Sequence, residues 1–206
     1  DVCRALLTGG RMIVCPSDIR MNPESLYQLI SDYQINIFES TPSLIIPLMN
    51  HVYEYGLDIS FLKIVILGSE MCHMQDYSRI LRQNGHQMRV INSYGTTETT
   101  IDSCYYESRP DDITDEYSVT PIGKPLQNIW FYILDKHRHP VPPGIDGELY
   151  IGGAGVGVGY INRDDLNDER FINGGVTNNR PILLVKLADS SGINVMGTGI
   201  GHDLVA

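Results

Sequence analysis

The chain has 206 residues, 25 Asp and Glu against 15 Lys and Arg, and a formal net charge of −10. That balance argues against nucleic acid or an anionic membrane as a partner. With 42% hydrophobic and 19% charged residues, the chain is globular rather than disordered. No apolar run reaches membrane-spanning length and no signal peptide opens the chain. The four cysteines (Cys3, Cys15, Cys72 and Cys104) form neither a zinc spacing nor a disulfide framework, which favours a reducing cytosol. The first residue is Asp1 rather than Met, so a piece of a larger protein is expected, with room for one domain or one and a half.

In chain order, residues 3–7 read as the end of a helix stopped by Gly9 and Gly10. Residues 11–15 read as a short strand ended by Pro16. Asn22 and Pro23 give a helix N-cap and first turn, followed by Leu26, Leu29, Ile30 and Tyr33 at helical spacing. Residues 35–38 are a buried strand. Thr41 and Pro42 then repeat the cap signal ahead of an apolar stripe of Leu44, Ile45, Leu48, Met49 and Val52. Residues 62–67 and 88–91 are short apolar runs without alternation, suited to parallel strands covered on both faces, with a helix at 75–84 between them. This alternation predicts an α/β layer with a mostly parallel sheet and flanking helices. Ligands bind such sheets beyond the carboxyl ends of the strands. Glu39-Ser40-Thr41, Leu67-Gly68-Ser69-Glu70 and the stretch from Asn92 to Glu98 all fall there.

After Ile101 the texture changes to a polar loop through Arg109, Asp111, Asp112, Asp115 and Glu116. Residues 128–135 and 147–153 read as strands joined by a Pro/Gly-rich loop, predicting a small antiparallel β subdomain, with a short helix at 164–171. The expected units are 1–118, 119–172 and a tail, 173–206, made of a turn-rich linker and a strand-like run at 181–189. His137 and His139 on a loop, and His202 beside Asp203, lack the companions of a metal or catalytic site. Cys72 and Cys104 read as packing residues.

The richest stretch is Asn92-Ser93-Tyr94-Gly95-Thr96-Thr97-Glu98. A tyrosine ring can stack on a purine, a glycine lets backbone approach a ligand, threonine hydroxyls can bond phosphate, and a carboxylate can hold magnesium. It resembles the Asn-x-Tyr-Gly-Pro-Thr-Glu motif of adenylate-forming (AMP-binding) enzymes, in particular the amino-acid adenylation domains of nonribosomal peptide synthetases. A second match is the stretch from Gly147 through Gly152, Gly153 and Gly155 to Tyr160. Pro121-Ile122-Gly123-Lys124-Pro125 and Tyr132-Ile133-Leu134-Asp135 fit between them, so the likeness covers roughly residues 1–172. The fold it implies is part of the large lobe of such an enzyme followed by its small barrel-like subdomain.

The family reaction is carboxylate plus ATP to acyl-adenylate plus pyrophosphate, then transfer to a phosphopantetheine thiol on a peptidyl carrier domain beside a condensation domain. By resemblance, Tyr94 stacks on adenine, Asn92 bonds its edge, and the turn Gly68-Ser69-Glu70 runs along it beside Gly95. Thr97 bonds the α-phosphate of ATP or AMP and Glu98 binds Mg2+. Two departures stand out: Thr96 replaces the usual proline, and Val158 an arginine in the second motif, which reads as mainly structural. The family's phosphate-binding Ser/Thr/Gly loop would precede residue 1. Its ribose-binding aspartate and substrate-orienting lysine would follow residue 172, so the chain is not expected to adenylate anything alone. The alternatives are a truncated nucleotide-binding remnant, or an acyl- or aryl-CoA ligase of the same superfamily.

The resemblance also assigns an acyl pocket lined by Glu39, Val65, Leu67, Ser93, Ile101 and Asp102. Two carboxylates in an apolar pocket need a counter-charge. Either a basic, ornithine-type amino acid supplies it, or one of the pair meets solvent or a local Lys or Arg. The tail from 181 weakly resembles a β segment of secreted gingipain-like proteins.

Overall fold

In the computed structural model the described residues are 2–113, 117–172 and 184–186. The first sheet has the order β1 (Ile37–Ser40), β2 (Ile64–Leu67), β3 (Arg89–Tyr94), β4 (Cys104–Glu107) and β5 (Lys124–Pro125). The first three strands run parallel, and β4 and β5 are antiparallel additions. Helices α2 (Pro23–Asp32), α3 (Pro42–Tyr55) and α4 (Met74–Asn84) supply the apolar stripes that the parallel strands need. Leu26, Ile30, Ile45, Leu48, Met49, Met74, Ile80 and Leu81 form one core with Val65, Leu67 and Val90. Asn22 caps α2 as its sequence implies, its side-chain oxygen accepting the Ser25 N–H at 3.0 Å. Thr41 precedes α3 without a side-chain cap bond. That end is served instead by Glu70, which accepts the Ser43 N–H at 3.2 Å and the Ser43 hydroxyl at 3.1 Å.

Register settles which side chains share a face, because side chains alternate along each strand. Phe38, Val65 and Val90 are neighbours across the sheet, as are Ser40, Leu67 and Asn92; this face lies under the helices. Glu39, Ile66 and Ile91 are neighbours on the opposite face, and Ser93 follows Ile91 there.

The second sheet has the order β6 (Ile129–Leu134), β7 (Glu148–Gly153), β9 (Leu184–Lys186), β8 (Phe171–Ile172), with every described pairing antiparallel. Short α5 (Asp164–Arg170) leads into β8. Cys104, Ile122, Ile129, Leu149, Ile151 and Phe171 form its core, against which Tyr94 and Tyr160 pack.

Several expectations need correction. Residues 11–15 form no strand. With Ile37 and Glu39 of β1 they line a cavity of about 580 Å3, Met12 and Val14 among its walls, and they pair with no described strand. The first strand starts two residues later than expected, because the Ile35 N–H bonds back to the Ile30 carbonyl and finishes the helix exit. The first sheet extends past residue 118, since β5 pairs with β4. Leu184–Lys186 of the tail lies between β7 and β8, so this piece belongs to the small sheet. The rest of the tail, including His202 and Asp203, lies outside the described residues. Among the described residues no helix is long and apolar enough to cross a membrane.

Leu48 is fully buried between helices and sheet, whereas Leu7 at the end of α1 (Val2–Leu7) is 84% exposed. Leu48→Ala is expected to lower unfolding free energy by about 3 kcal/mol. Leu7→Ala is expected to change it by less than about 0.5 kcal/mol. Urea denaturation of both variants checks the difference.

Candidate active site

The loops after β1, β2 and β3 converge at the carboxyl edge of the parallel strands. Gly68 leaves β2 with its N–H on the Ser40 carbonyl, stitching the second loop to the first. A Cβ on Gly68 would stand 2.7 Å from Ser93 Oγ, so a side chain there would fill the space in front of that hydroxyl. Ser93 is 8% exposed and its Oγ has no hydrogen-bond partner. A buried hydroxyl without a partner costs about 1–3 kcal/mol, a deficit that a bound polar group can remove.

The third loop is built from hydroxyls. Thr97–Thr99 is a single 3-10 turn, capped reciprocally by Thr96 and Thr99. The buried Thr99 hydroxyl receives the Thr96 N–H at 3.1 Å and the Ser103 hydroxyl at 2.7 Å. A side chain on Gly95 would overlap the Ile101 carbonyl and the Ser103 N–H, so only glycine lets the loop fold back on itself. Thr100 and Ile101 have φ of 63° and 72°, and Ser69 has 65°. Left-handed backbone is a strained state for a β-branched residue, of order 1–3 kcal/mol each, and such strain gathers at functional sites.

The result is that Thr97 is exposed and Glu98 half-exposed at the loop's tip. Burial pushes the Glu98 carboxyl upward, but hydrogen bonds from its own backbone, the Tyr160 phenol and Thr96, with the field of Arg170, bring it below its usual range. Glu98 is therefore an anion at neutral pH. No group of three or more His, Cys, Asp or Glu able to hold a metal occurs among the described residues. A lone carboxylate suits a hard cation that takes its remaining ligands from phosphates and water.

The remaining assigned residues divide. Tyr94 is half-buried against the second core. Asn92 is 5% exposed and donates its side-chain amide to the Pro121 carbonyl at 2.9 Å, an intramolecular use of the group assigned to adenine. Glu39 is ion-paired with Arg4 of α1. Val65 and Leu67 are fully buried on the helix-covered face, while Glu39 and Ser93 lie on the other, so the six assigned acyl-pocket residues do not line one wall. Ile101 is 66% exposed and Asp102 half-buried beside it. Cys72 and Cys104 are buried; burial lifts the Cys72 thiol to about 11 and the Cys104 thiol further, so neither is a nucleophile.

Two pairings have no local signal in the sequence. Arg4 lies 35 residues from Glu39. Tyr160 donates its phenol to Glu98 Oε1 at 2.8 Å from 62 residues away.

The profile of the AMP-binding enzyme family matches residues 1–161. The chain is 50% identical over 173 residues to tyrocidine synthase 3 of Brevibacillus parabrevis, covering 84% of this chain and 3% of that protein. It is 37% identical over 203 residues to malpibaldin synthetase of Mortierella alpina, covering 96% of this chain and 4% of that protein. A four-domain nonribosomal peptide synthetase solved with AMP and glycine is 30% identical, with a TM-score of 0.71 over 87% of this chain and 13% of that one. An artificially fused adenylation–carrier di-domain from Klebsiella oxytoca, at 20% identity, shares the fold with a TM-score of 0.74 over 98% of this chain and 38% of that one. The chain thus spans a small part of its relatives' length.

Two outcomes follow for the loop. Gly95→Ala is expected to lower stability by at least about 2 kcal/mol, because the atoms it meets are backbone and cannot turn away. Its urea midpoint should fall accordingly. The folded chain holds the Glu98 carboxyl below its usual range, so the stability from its ionisation is full above the ordinary carboxylate range and is lost as pH falls through the folded value. Relative to Glu98→Gln, the wild-type chain should keep a constant stability difference above about pH 5 that narrows in acid. Parallel curves down to pH 3 would contradict the assignment.

Proposed function

The chain belongs to the AMP-binding enzyme family, and from that premise we propose that it is the nucleotide- and acyl-binding core of an amino-acid-activating domain. The reaction is that of a carboxylate with ATP, giving an aminoacyl-adenylate and pyrophosphate. The observation that carries this reading is the unpartnered, buried Ser93 hydroxyl facing Gly68 at the sheet's carboxyl edge, between the strained turn at Ser69 and the loop bearing Thr97 and Glu98. Tyr94 and the turn Gly68-Ser69-Glu70 are proposed to hold the adenine, and Thr97 and the Gly95 loop the α-phosphate. Glu98 is proposed to hold Mg2+, which when bound lessens the repulsion between carboxylate and phosphate. Within the chain, Thr97 offers a hydroxyl donor and Glu98 a fixed anion. The carrier thiol, its phosphopantetheine arm and the condensation domain are partners of the proposed parent synthetase. A cytoplasmic setting suits four cysteines that are all free thiols.

The proposed substrate is a basic amino acid read by Asp102, a half-buried carboxylate without an ion-pair partner among the described residues. A second reading is a neutral side chain, favoured by the pairing of Glu39 with Arg4. Calorimetric titration of the chain with non-hydrolysable aminoacyl-sulfamoyl adenosines separates them. The ornithyl compound is expected to bind about tenfold more tightly than the leucyl or phenylalanyl one, and Asp102→Asn to erase the difference. Preference for a neutral compound in the wild-type chain sinks the cationic reading. Failure of every aminoacyl compound, with AMP still bound, leaves a nucleotide-binding remnant.

A further inference from the structure

The second glycine-rich stretch, 152–160, reads from sequence as scaffolding, yet it closes directly over the loop that carries Glu98. The Gly157 N–H donates to the Glu98 carbonyl at 2.8 Å, and the Thr100 hydroxyl donates to the Gly155 carbonyl at 2.6 Å. Between these backbone ties, the Tyr160 phenol reaches Glu98 Oε1 at 2.8 Å.

Tyr160 is itself held from behind. Its N–H donates to Asn167 Oδ1 at 2.6 Å and its carbonyl accepts from Asn167 Nδ2 at 2.9 Å. One amide thus fixes both backbone groups of one residue. Gly159, at φ 127°, leaves room for that amide: a Cβ there would stand 2.8 Å from Asn167 Oδ1. The ring meets Phe171 edge-on, with centroids 6.2 Å apart and planes at 73°. Asn167 lies on α5 and Phe171 opens β8, so both supports belong to the small subdomain.

We propose that Tyr160 is a positioning residue: clamped by Asn167 and Phe171, it fixes the rotamer of the Glu98 carboxylate from the small subdomain. This deepens the proposed metal role of Glu98 and rests on it for its catalytic meaning. A hydroxyl fits the task because it can donate to the carboxylate without adding charge, leaving Glu98 anionic for a cation. The other groups acting on Glu98 are Thr96, on its own loop, and Arg170, on α5. The Val158 substitution leaves this arrangement untouched, because Val158 is fully exposed.

The test uses the full chain with Tyr160→Phe, which keeps the ring on Phe171 and removes only the hydroxyl. Asn167→Ala, which frees the backbone of Tyr160, is the second variant. Two signals are read: the Glu98 side-chain rotamer, from NMR three-bond couplings, and the Mn2+ half-saturation in the presence of ATP by water-proton relaxation. In Tyr160→Phe, the Glu98 couplings are expected to average over several rotamers and the Mn2+ half-saturation to rise about fivefold. Asn167→Ala should move both signals the same way by less. Identical Glu98 couplings in wild type and Tyr160→Phe overturn the proposal, as does a fall in melting temperature with the Glu98 couplings unmoved, the mark of a purely structural tyrosine. Glu98 couplings that change while the wild-type chain gives no relaxation change with Mn2+ and ATP support the positioning role and defeat the metal reading instead.

Discussion

The candidate site depends on one buried hydroxyl. Thr99 is completely enclosed, and its Oγ1 gathers the Thr96 N–H and the Ser103 hydroxyl within 3.1 Å. That knot ties the start of the loop to the strand that follows, across a glycine with no room for a side chain. Everything between is pressed outward, so Thr97 and Glu98 stand at the tip, where a ligand can meet them. The left-handed backbone at Thr100 and Ile101 is the strained return path. Removing the knot would free the loop to relax, and the two ligand-facing groups would lose their shared direction.

The same edge joins two different mechanical supports. From the large sheet, three parallel strands end together and place Ser40, Gly68 and Ser93 side by side, with Glu70 closing the amino end of α3. From the small sheet, the 152–160 stretch and α5 bring Tyr160 and Arg170 to Glu98. A charge at the loop tip is thereby answered from both subdomains, and its ionised state follows from hydrogen bonding that outweighs the effect of burial.

Much of this was legible from residue order. The cap at Asn22, the helix start at Pro42 and the apolar runs of β2 and β3 follow local rules that the structure obeys, although the Thr41 side chain makes no cap bond. The loop from Asn92 to Glu98 was legible because glycine, hydroxyls and one carboxylate are crowded into seven residues. What escaped depends on contacts between distant residues. Residues 11–15 have the composition of a strand but join neither sheet, lining a cavity beside β1 instead. The β4 strand, Cys-Tyr-Tyr-Glu, is too short and polar to announce itself beside the charged loop that follows. The Arg4–Glu39 pair and the Tyr160–Glu98 bond join positions with no shared local pattern. Strand register, which places Leu67 and Glu39 on opposite faces, also lies beyond what composition can reveal.

The central claim is that purine, phosphate and cation meet where β3 runs into its hydroxyl-rich loop. A crystal structure of the chain with AMP tests it most directly. The base is expected against the Tyr94 ring and the Gly68 turn, with the phosphate within hydrogen-bond reach of Thr97. A base docked elsewhere, with the Tyr94 ring turned wholly into the second core, would contradict the account.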